Sequence, residues 1–277
     1  MTVKRASAAM SRRAILGALG SLLAGPAHAQ GFGPPGLQLY TVRSLLERDY
    51  AGTLARVAAL GCREVEFAGL YPSSSTRETV ALLQRHGLSA PSGHAEYETL
   101  ARDPGAELQK ANELGQRFVV CPSIDEPHRR TIDDWKRIAK NFNRIGEQAR
   151  RAGLTFAYHN HDFEFQPIAG QIPYDLMLAE TDPALVKLEM DFYWMARAGR
   201  DPLAYFRKYP GRFPLVHLKD MARGGSITEV GNGTVDFARL LTEAKLAGIV
   251  HGFVEHDDPA DPLKSIEISL RYLRQLK

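Results

Sequence analysis

Four apolar runs of the sequence end in side chains that bind metals or transfer protons. They are residues 154–164 (LTFAYHNHDFE), 186–191 (VKLEMD), 214–220 (PLVHLKD) and 252–257 (GFVEHD). Burying an unpaired charge is costly, so a His, Asp or Glu at the end of a short buried strand needs a partner or a metal. Four such endings in one half of the chain predict four parallel strands that deliver their last residues to one point.

Two carboxylates and an imidazole close three of these runs, at Asp191, His217 and Glu255. This donor set suits Mn²⁺, Co²⁺, Mg²⁺, Zn²⁺ or Fe²⁺. One such residue by itself is more simply explained as a paired polar residue at a strand end. Three together, with His159 or His161 beside them, predict a site for one divalent metal.

The elements that carry these residues alternate along the whole chain. A first strand is predicted over 36–42 (GLQLYTV), and helices such as 131–152 and 235–247 are each closed by a glycine. Eight strand–helix units require parallel pairing and right-handed crossovers. We therefore predict an α/β protein with a closed, single-domain (β/α)8 TIM barrel over 30–277. No glycine-rich dinucleotide fingerprint follows the first strand, which argues against an open doubly wound sheet.

The first 29 residues are predicted to be an export signal peptide. Arg12 and Arg13 precede an apolar run that ends at Leu23, and Ala27-His28-Ala29 supplies a small-residue cleavage site. The paired arginines are typical of a twin-arginine signal, a pathway that exports folded proteins. The apolar run is too short to span a bilayer. The sequence thus predicts cleavage after Ala29, a periplasmic mature protein and no stable membrane association.

The amino-acid composition and charge exclude some classes of function. The chain has 277 residues, 44% of them hydrophobic and 24% charged, with a formal charge of +3. Removing 1–29, which holds four basic residues and no acid, leaves 31 basic and 32 acidic residues, a net of −1. That balance argues against a nucleic-acid partner. Cys62 and Cys121 lack metal or redox spacing and are predicted to be buried. The sequence leaves a homo-oligomer open.

Eight segments together resemble the xylose-isomerase-like barrel superfamily of sugar phosphate isomerases and epimerases, which also includes dehydratases. The matching segments are GLQLYTVR, EVEFAG, SGH, AYHNHDFEF, LEMDFYW, VHLKD, VGNGTVDF and VEHD. The resemblance implies a divalent metal held by Glu, Asp, His and Glu from strands five to eight. The last three of these correspond to Asp191, His217 and Glu255.

The fifth strand departs from that pattern, because it carries Tyr158-His159-Asn160-His161 where the family has a glutamate. His159 is the favoured fourth ligand, since a residue that ends the strand faces the others; His161 or Glu164 is the alternative. The exchange of Glu for His alters the charge at the metal and removes one carboxylate base.

The resemblance and the strand ends together suggest roles for further residues. Candidate acids and bases are His161, Glu164, Lys219 and Glu255. Lys219 lies two residues beyond His217 on the same strand face and could bind an oxyanion. A salt bridge to Asp220 or another rim carboxylate is the alternative. Candidate residues for binding the sugar are Glu66, His94 and Trp194.

The implied activity is that of a metal-dependent sugar isomerase or epimerase that abstracts a proton α to a carbonyl of a sugar or keto-sugar. A lyase or hydratase acting on 3-keto-glycosides or inososes is the alternative, because elimination begins with the same step. A nuclease sharing the barrel would need more metal ligands and a basic face. A non-catalytic sugar-binding protein is the remaining hypothesis.

Overall fold

Eight short parallel strands close into a barrel in the computed structural model, which describes residues 33–69 and 75–276. The predicted signal peptide lies outside these residues. In chain order the barrel strands are β1 Gly36–Gln38, β2 Glu64–Phe67, β3 Ser89–His94, β4 Phe118–Cys121, β5 Thr155–His159, β6 Val186–Asp191, β7 Leu215–Leu218 and β10 His251–Val254. Each strand pairs with its neighbour in sequence and β10 returns to β1, so the predicted single-domain (β/α)8 barrel is confirmed.

Helices connect the strands around the outside of the barrel. They are α1 Arg43–Leu46, α2 Tyr50–Ala59, α3 Thr76–Arg85, α4 Tyr97–Arg102, α5 Gly105–Glu113, α6 Ile132–Arg151, α7 Pro173–Glu180, α8 Phe192–Arg197, α9 Pro202–Lys208, α10 Phe237–Leu241, α11 Ala244–Ala247 and α12 Pro262–Gln275. The longest, α6, begins at a capping box in which Thr131 and Asp134 satisfy each other's backbone N–H groups. Within the described part of the chain, no helix has the length and apolarity needed to cross a bilayer.

Side chains along each strand point alternately toward the helices and into the barrel, which gives two sets of buried side chains. On β4, Val119 and Cys121 join the large core shared with the helices, whereas Phe118 and Val120 belong to a separate cluster with Ala157, Leu215 and Phe253. Successive side chains of a strand point to opposite faces, so this second cluster fills the barrel interior. It forms an apolar floor beneath the polar strand ends.

The strand register places those polar ends side by side. Asp191 on β6 pairs with His217 on β7, and His159 on β5 pairs with Glu189 on β6. On the other side of the barrel, Gln38 of β1 pairs with Glu66 of β2. The carboxyl ends of all these strands open at the same mouth, where barrel enzymes carry their active sites.

Two predicted elements are wrong in their extent. The strand predicted over 36–42 stops at Gln38, whose side chain accepts a hydrogen bond from the Tyr40 N–H (3.0 Å) and turns the chain into a 3₁₀ helix, Leu39–Val42. The helix predicted over 235–247 is broken between α10 and α11. There the Thr242 hydroxyl donates a hydrogen bond to the Arg239 carbonyl (2.7 Å). In a continuous helix that carbonyl would accept from the backbone N–H of Glu243.

A small hairpin follows β7 and was not predicted. Its strands are β8 Asp220–Met221 and β9 Ile227–Thr228. The buried Asp220 carboxylate accepts backbone hydrogen bonds from Gly231 (2.9 Å), Gly233 (3.0 Å) and Val235 (3.0 Å). A Cβ on Gly233 would lie 2.3 Å from the Asp220 carboxylate, so only glycine allows this approach. The loop therefore wraps around a carboxylate of its own chain.

Candidate active site

Four buried side chains converge at the barrel mouth. They are His159 at the end of β5, Asp191 at the end of β6, His217 on β7 and Glu255 just after β10. Each offers one metal-ligating atom, and these four atoms all lie within 4.8 Å of one another. We call them the metal group. They are the four residues that the sequence analysis predicts as metal ligands.

Two atoms of the metal group are left unpaired by their surroundings. His159 Nδ1 lies 3.0 Å from the Pro122 carbonyl and so carries the ring proton, which makes Nε2 a lone-pair acceptor. One carboxylate oxygen of Asp191 caps α8 by accepting from the Trp194 N–H (3.0 Å). His159 Nε2 and the other oxygen, Oδ2, face each other at 3.4 Å, and neither has a hydrogen-bond partner among the described residues.

Electrostatics keep this imidazole neutral. Burial, reinforced by the neighbouring His217, lowers the pKa of His159 to about 3. An imidazole lone pair therefore faces a buried carboxylate oxygen, which the Lys219 ammonium approaches at 3.7 Å. Burial raises the pKa of Asp191, so the ionised form of this carboxylate needs positive charge beside it. A tetrahedral metal with bonds of roughly 2.0–2.1 Å separates its donor atoms by about 3.4 Å. The spacing of the two unpaired atoms fits that requirement.

His217 and Glu255 form the other half of the metal group. His217 Nδ1 lies 2.9 Å from Glu255 Oε2 and 3.8 Å from Asp191 Oδ2. Burial would lower the pKa of His217, but Glu189 and Glu255 outweigh it and hold that pKa well above its usual value. The two ring nitrogens of His217 thus lie between carboxylates on opposite sides, since Nε2 is 2.8 Å from Glu66 Oε1.

Lys219 places an ammonium beside the same carboxylates. Its Nζ lies 3.1 Å from Glu255 Oε2 and 3.7 Å from Asp191 Oδ2, and it also contacts the Asp257 carboxylate. Burial would lower the pKa of Lys219, but Glu255 and then Asp191 raise it, so this buried side chain stays charged. Burial would likewise raise the pKa of Glu255, but Lys219 and His217 hold it well below its usual value. The alternative of a salt bridge to a rim carboxylate is present, with Glu255, Asp191 and Asp257 as the partners of Lys219 in place of Asp220, which binds backbone N–H groups.

A second polar group, which we call the deep group, lies against the first. It consists of Glu66, His94, Glu189 and His217, whose ligand atoms also lie within 4.8 Å of one another. His94 Nε2 is 3.1 Å from Glu189 Oε2 and 3.2 Å from Glu66 Oε1. Burial would lower the pKa of His94, but Glu66 and Glu189 raise it to about 9.

Sequence reasoning missed two members of this region. Glu189 lies two residues before Asp191 on β6, so the period of two on a strand was a signal for its inward direction. Gln38 ends β1 as a buried polar residue, and its amide nitrogen donates to Glu66 Oε1 (2.7 Å). Gln38 follows the pattern of polar strand ends on which the metal prediction rests, whereas Glu189 lies one inward position before such an end.

These strand ends and the closed barrel match a known family. A sequence profile described as xylose isomerase-like TIM barrel covers residues 54–276. The chain belongs to this family.

Two relatives of this barrel are inosose dehydratases. The chain is 27% identical to the one from Clostridium beijerinckii over 272 residues, which cover 83% of this chain and 90% of the relative. It is 28% identical to the one from Lacticaseibacillus casei over 159 residues, which are 51% of this chain and 52% of the relative. The match thus spans about half the length of the latter protein.

A solved structure gives the same fold. The sugar phosphate isomerase/epimerase from Parabacteroides distasonis ATCC 8503 superposes with a TM-score of 0.75 at 27% sequence identity. The superposition covers 87% of this chain and 93% of that chain. The family is therefore one of isomerases, epimerases and dehydratases, and xylose isomerase-like barrels generally bind a divalent metal.

Aromatic rings border the metal group in this barrel. The His161 ring lies 5.0 Å from the His159 ring, 5.1 Å from that of Trp194 and 5.4 Å from that of Phe163, measured between centroids. Burial, reinforced by His159, lowers the pKa of His161 to about 3. Within the described chain, neither His161 Nδ1 nor Trp194 Nε1 has a hydrogen-bond partner. Both atoms therefore remain available to a polar ligand.

Glu164 does not join the metal group, which corrects its prediction as a base or ligand. Its carboxylate accepts hydrogen bonds from the Tyr158 hydroxyl (2.6 Å) and the His161 N–H (2.9 Å). The Tyr158 ring lies 5.1 Å from Phe142 of α6, on the helix side of β5. Burial raises the pKa of Glu164 to about 7. Glu164 is therefore a buried structural acid behind the strand.

Proposed function

We propose that this protein is a divalent-metal-dependent enzyme that removes a proton α to a carbonyl of a sugar or keto-sugar and then expels a β-oxygen. The observation that carries the proposal is the metal group itself, with the Lys219 ammonium 3.1 Å from Glu255. A metal held by His159, Asp191, His217 and Glu255 would polarise the carbonyl and make the neighbouring C–H acidic.

The chain's own residues supply the remaining steps. Glu255 is the carboxylate that can accept the proton from carbon, because it contacts the Lys219 ammonium, whereas Glu164 lies behind the strand. Lys219 can give a proton to the departing oxygen, which leaves as water while the C–O electron pair goes with it. The proton on Glu255 then returns to Lys219 across the 3.1 Å contact, which restores both groups.

Elimination is favoured over epimerisation by the composition of the site. Epimerisation needs an acid–base group on each face of the carbon, whereas elimination needs one base and one acid for the leaving group. The exchange of a fifth-strand glutamate for His159 leaves Glu255 and Lys219 as such a pair. The two inosose dehydratase relatives agree with this choice.

Isomerisation or epimerisation is the second candidate. It is favoured by the similarity to the Parabacteroides distasonis sugar phosphate isomerase/epimerase, at 27% identity over most of the chain. His161 would then have to serve as the second acid–base group. The contact between Glu255 and Lys219 already supplies a base and an acid as one pair, which ranks this candidate below elimination.

Metal analysis and NMR in D₂O distinguish these outcomes. The metal-loaded protein is incubated with inososes, 3-keto-glycosides and simple keto-sugars. Elimination produces an enone with a vinyl proton signal, whereas epimerisation exchanges one C–H for deuterium with inverted configuration. Glu255→Gln should abolish turnover. Absence of turnover and of deuterium exchange across the whole panel would refute the proposal.

We further propose that residues 1–29 direct export of the folded, metal-loaded protein to the periplasm. The support is the pair Arg12 and Arg13, the short apolar run and the Ala27-His28-Ala29 site. Cell fractionation and N-terminal sequencing test this proposal. The mature chain should begin at Gln30, and Arg12→Lys combined with Arg13→Lys should leave the precursor in the cytoplasm.

A further inference from the structure

Glu66 occupies the centre of the deep group with both carboxylate oxygens engaged. Oε1 accepts from Gln38 Nε2 (2.7 Å) and lies 2.8 Å from His217 Nε2. Oε2 accepts from the hydroxyl of Ser92, and the whole side chain is buried. A carboxylate fixed by two strands in this way has a set direction, and that direction is toward His217.

His217 meets the metal group through its other nitrogen. Nδ1 lies 2.9 Å from Glu255 Oε2 and 3.8 Å from Asp191 Oδ2, the carboxylates that belong to that group. A neutral imidazole carries its proton on one nitrogen and its lone pair on the other. A metal held by Glu255 and Asp191 would take the lone pair of Nδ1, which leaves the one ring proton on Nε2, where Glu66 Oε1 accepts it at 2.8 Å.

The neighbours of Glu66 support its charged form. His94 Nε2 bridges toward Glu66 Oε1 at 3.2 Å and Glu189 Oε2 at 3.1 Å, so one imidazole serves two buried carboxylates. Two buried anions without such a bridge would repel each other at short range. The bridge and the Gln38 and Ser92 donors together hold the Glu66 carboxylate as an acceptor for His217.

We propose that Glu66 is a positioning residue that fixes the Nε2–H tautomer of His217 and thereby sets the affinity of the metal group for its ion. The inference rests on the proposed metal dependence. It assigns Glu66 to the metal centre through His217, in place of the sugar contact that the sequence suggests. Carboxylate partners of metal-ligating histidines typically contribute 10- to 100-fold to metal affinity.

The test compares two glutamates of the same strand in the full chain. Glu66→Gln removes the anion next to His217. Glu64→Gln is the matched control, because Glu64 lies two residues earlier on β2 and its Oε2 is 2.6 Å from His251 Nδ1, so it also breaks a Glu–His pair. Zn²⁺ and Co²⁺ dissociation constants are measured by chelator competition, together with metal stoichiometry and the KM of any substrate found.

Glu66→Gln should bind one metal per chain about 10- to 100-fold more weakly, with KM changed little, whereas Glu64→Gln should bind like the wild type. Long-range ¹H–¹⁵N spectra of the zinc-loaded wild type should show the His217 proton on Nε2. If Glu66→Gln does not fold, Ser92→Ala loosens the same carboxylate and should weaken metal binding several-fold.

Several results would overturn the inference. If Glu66→Gln binds metal with unchanged affinity but has a raised KM, Glu66 is a sugar-binding residue and not a positioning residue. Two metals in the wild type, of which Glu66→Gln loses one and keeps the other at full affinity, would make Glu66 a ligand. If the wild-type chain binds no metal, the proposed function is refuted together with this inference. The first two results would overturn the role of Glu66 alone and leave the proposed function standing.

Discussion

The Nε2 atom of His159 lies 3.4 Å from the Oδ2 atom of Asp191, and both atoms are buried without a hydrogen-bond partner in the described chain. The Pro122 carbonyl takes the His159 proton on Nδ1, and α8 takes the other Asp191 oxygen. An imidazole lone pair and a carboxylate oxygen therefore face each other in a buried space, with the Lys219 ammonium 3.7 Å from Oδ2. A metal could bind both atoms, which makes this pair the strongest support for a metal at the barrel mouth.

His159 should be the fifth-strand metal ligand. His159→Ala should weaken metal binding by more than about 100-fold, since losing a ligand costs more than losing the partner of a ligand. His161→Ala is the matched control, because its ring lies 5.0 Å from that of His159 but its nitrogen does not belong to the metal group. Calorimetric titration with Zn²⁺ or Mn²⁺ measures both. Loss of binding in His161→Ala with full binding in His159→Ala would reverse the assignment.

Removing the Lys219 ammonium should affect metal affinity and turnover in opposite directions. Lys219→Met frees Glu255 and Asp191 from a competing cation, so metal affinity should rise roughly tenfold. The same variant should lower kcat by about 10²- to 10⁴-fold, because it removes the acid for the leaving oxygen. Metal titration and steady-state kinetics measure the two effects.

Lys187→Met controls for the loss of a barrel lysine, since the Lys187 ammonium bonds the Gly211 carbonyl (3.0 Å) and does not contact the metal group. Unchanged kcat in Lys219→Met would show that its ammonium serves only as a counter-ion.

Glu164 should make stability fall as the pH rises. Burial raises its folded pKa from 4.5 to about 7, so the folded state keeps a proton that the unfolded chain has already released. The free energy of unfolding therefore declines between pH 4.5 and 7 for this group. Glu164→Gln has no carboxyl to ionise, so its free energy of unfolding does not decline in this way. The free energy of unfolding of Glu164→Gln minus that of the wild type should therefore increase by up to about 3 kcal/mol from pH 4 to pH 8.

Urea unfolding of both proteins at several pH values gives this difference, in which titrations common to the two chains cancel. A difference that stays constant across the range would mean that Glu164 ionises alike in the folded and unfolded states.

Much of this protein is determined locally and could be predicted from its sequence. An apolar run that ends in Asp, His or Glu is a property of a few adjacent residues, and parallel strands bring such endings to one mouth. For this reason the sequence predicts Asp191, His217 and Glu255 as neighbours. The closed barrel followed from the alternation of strands and helices, and Glu189 could have been found from its spacing to Asp191.

The tertiary structure decided which partner each polar atom has. β5 ends at His159, and the 3₁₀ turn Phe163–Phe165 carries Glu164 to the helix side of the strand, where Tyr158 binds it. Contacts between distant strands likewise decide that Lys219 meets Glu255 and that Glu66 holds His217. Hydrogen bonds act over about 3 Å, so their partners depend on the packing of strands far apart in the chain, which spacing along one strand does not encode.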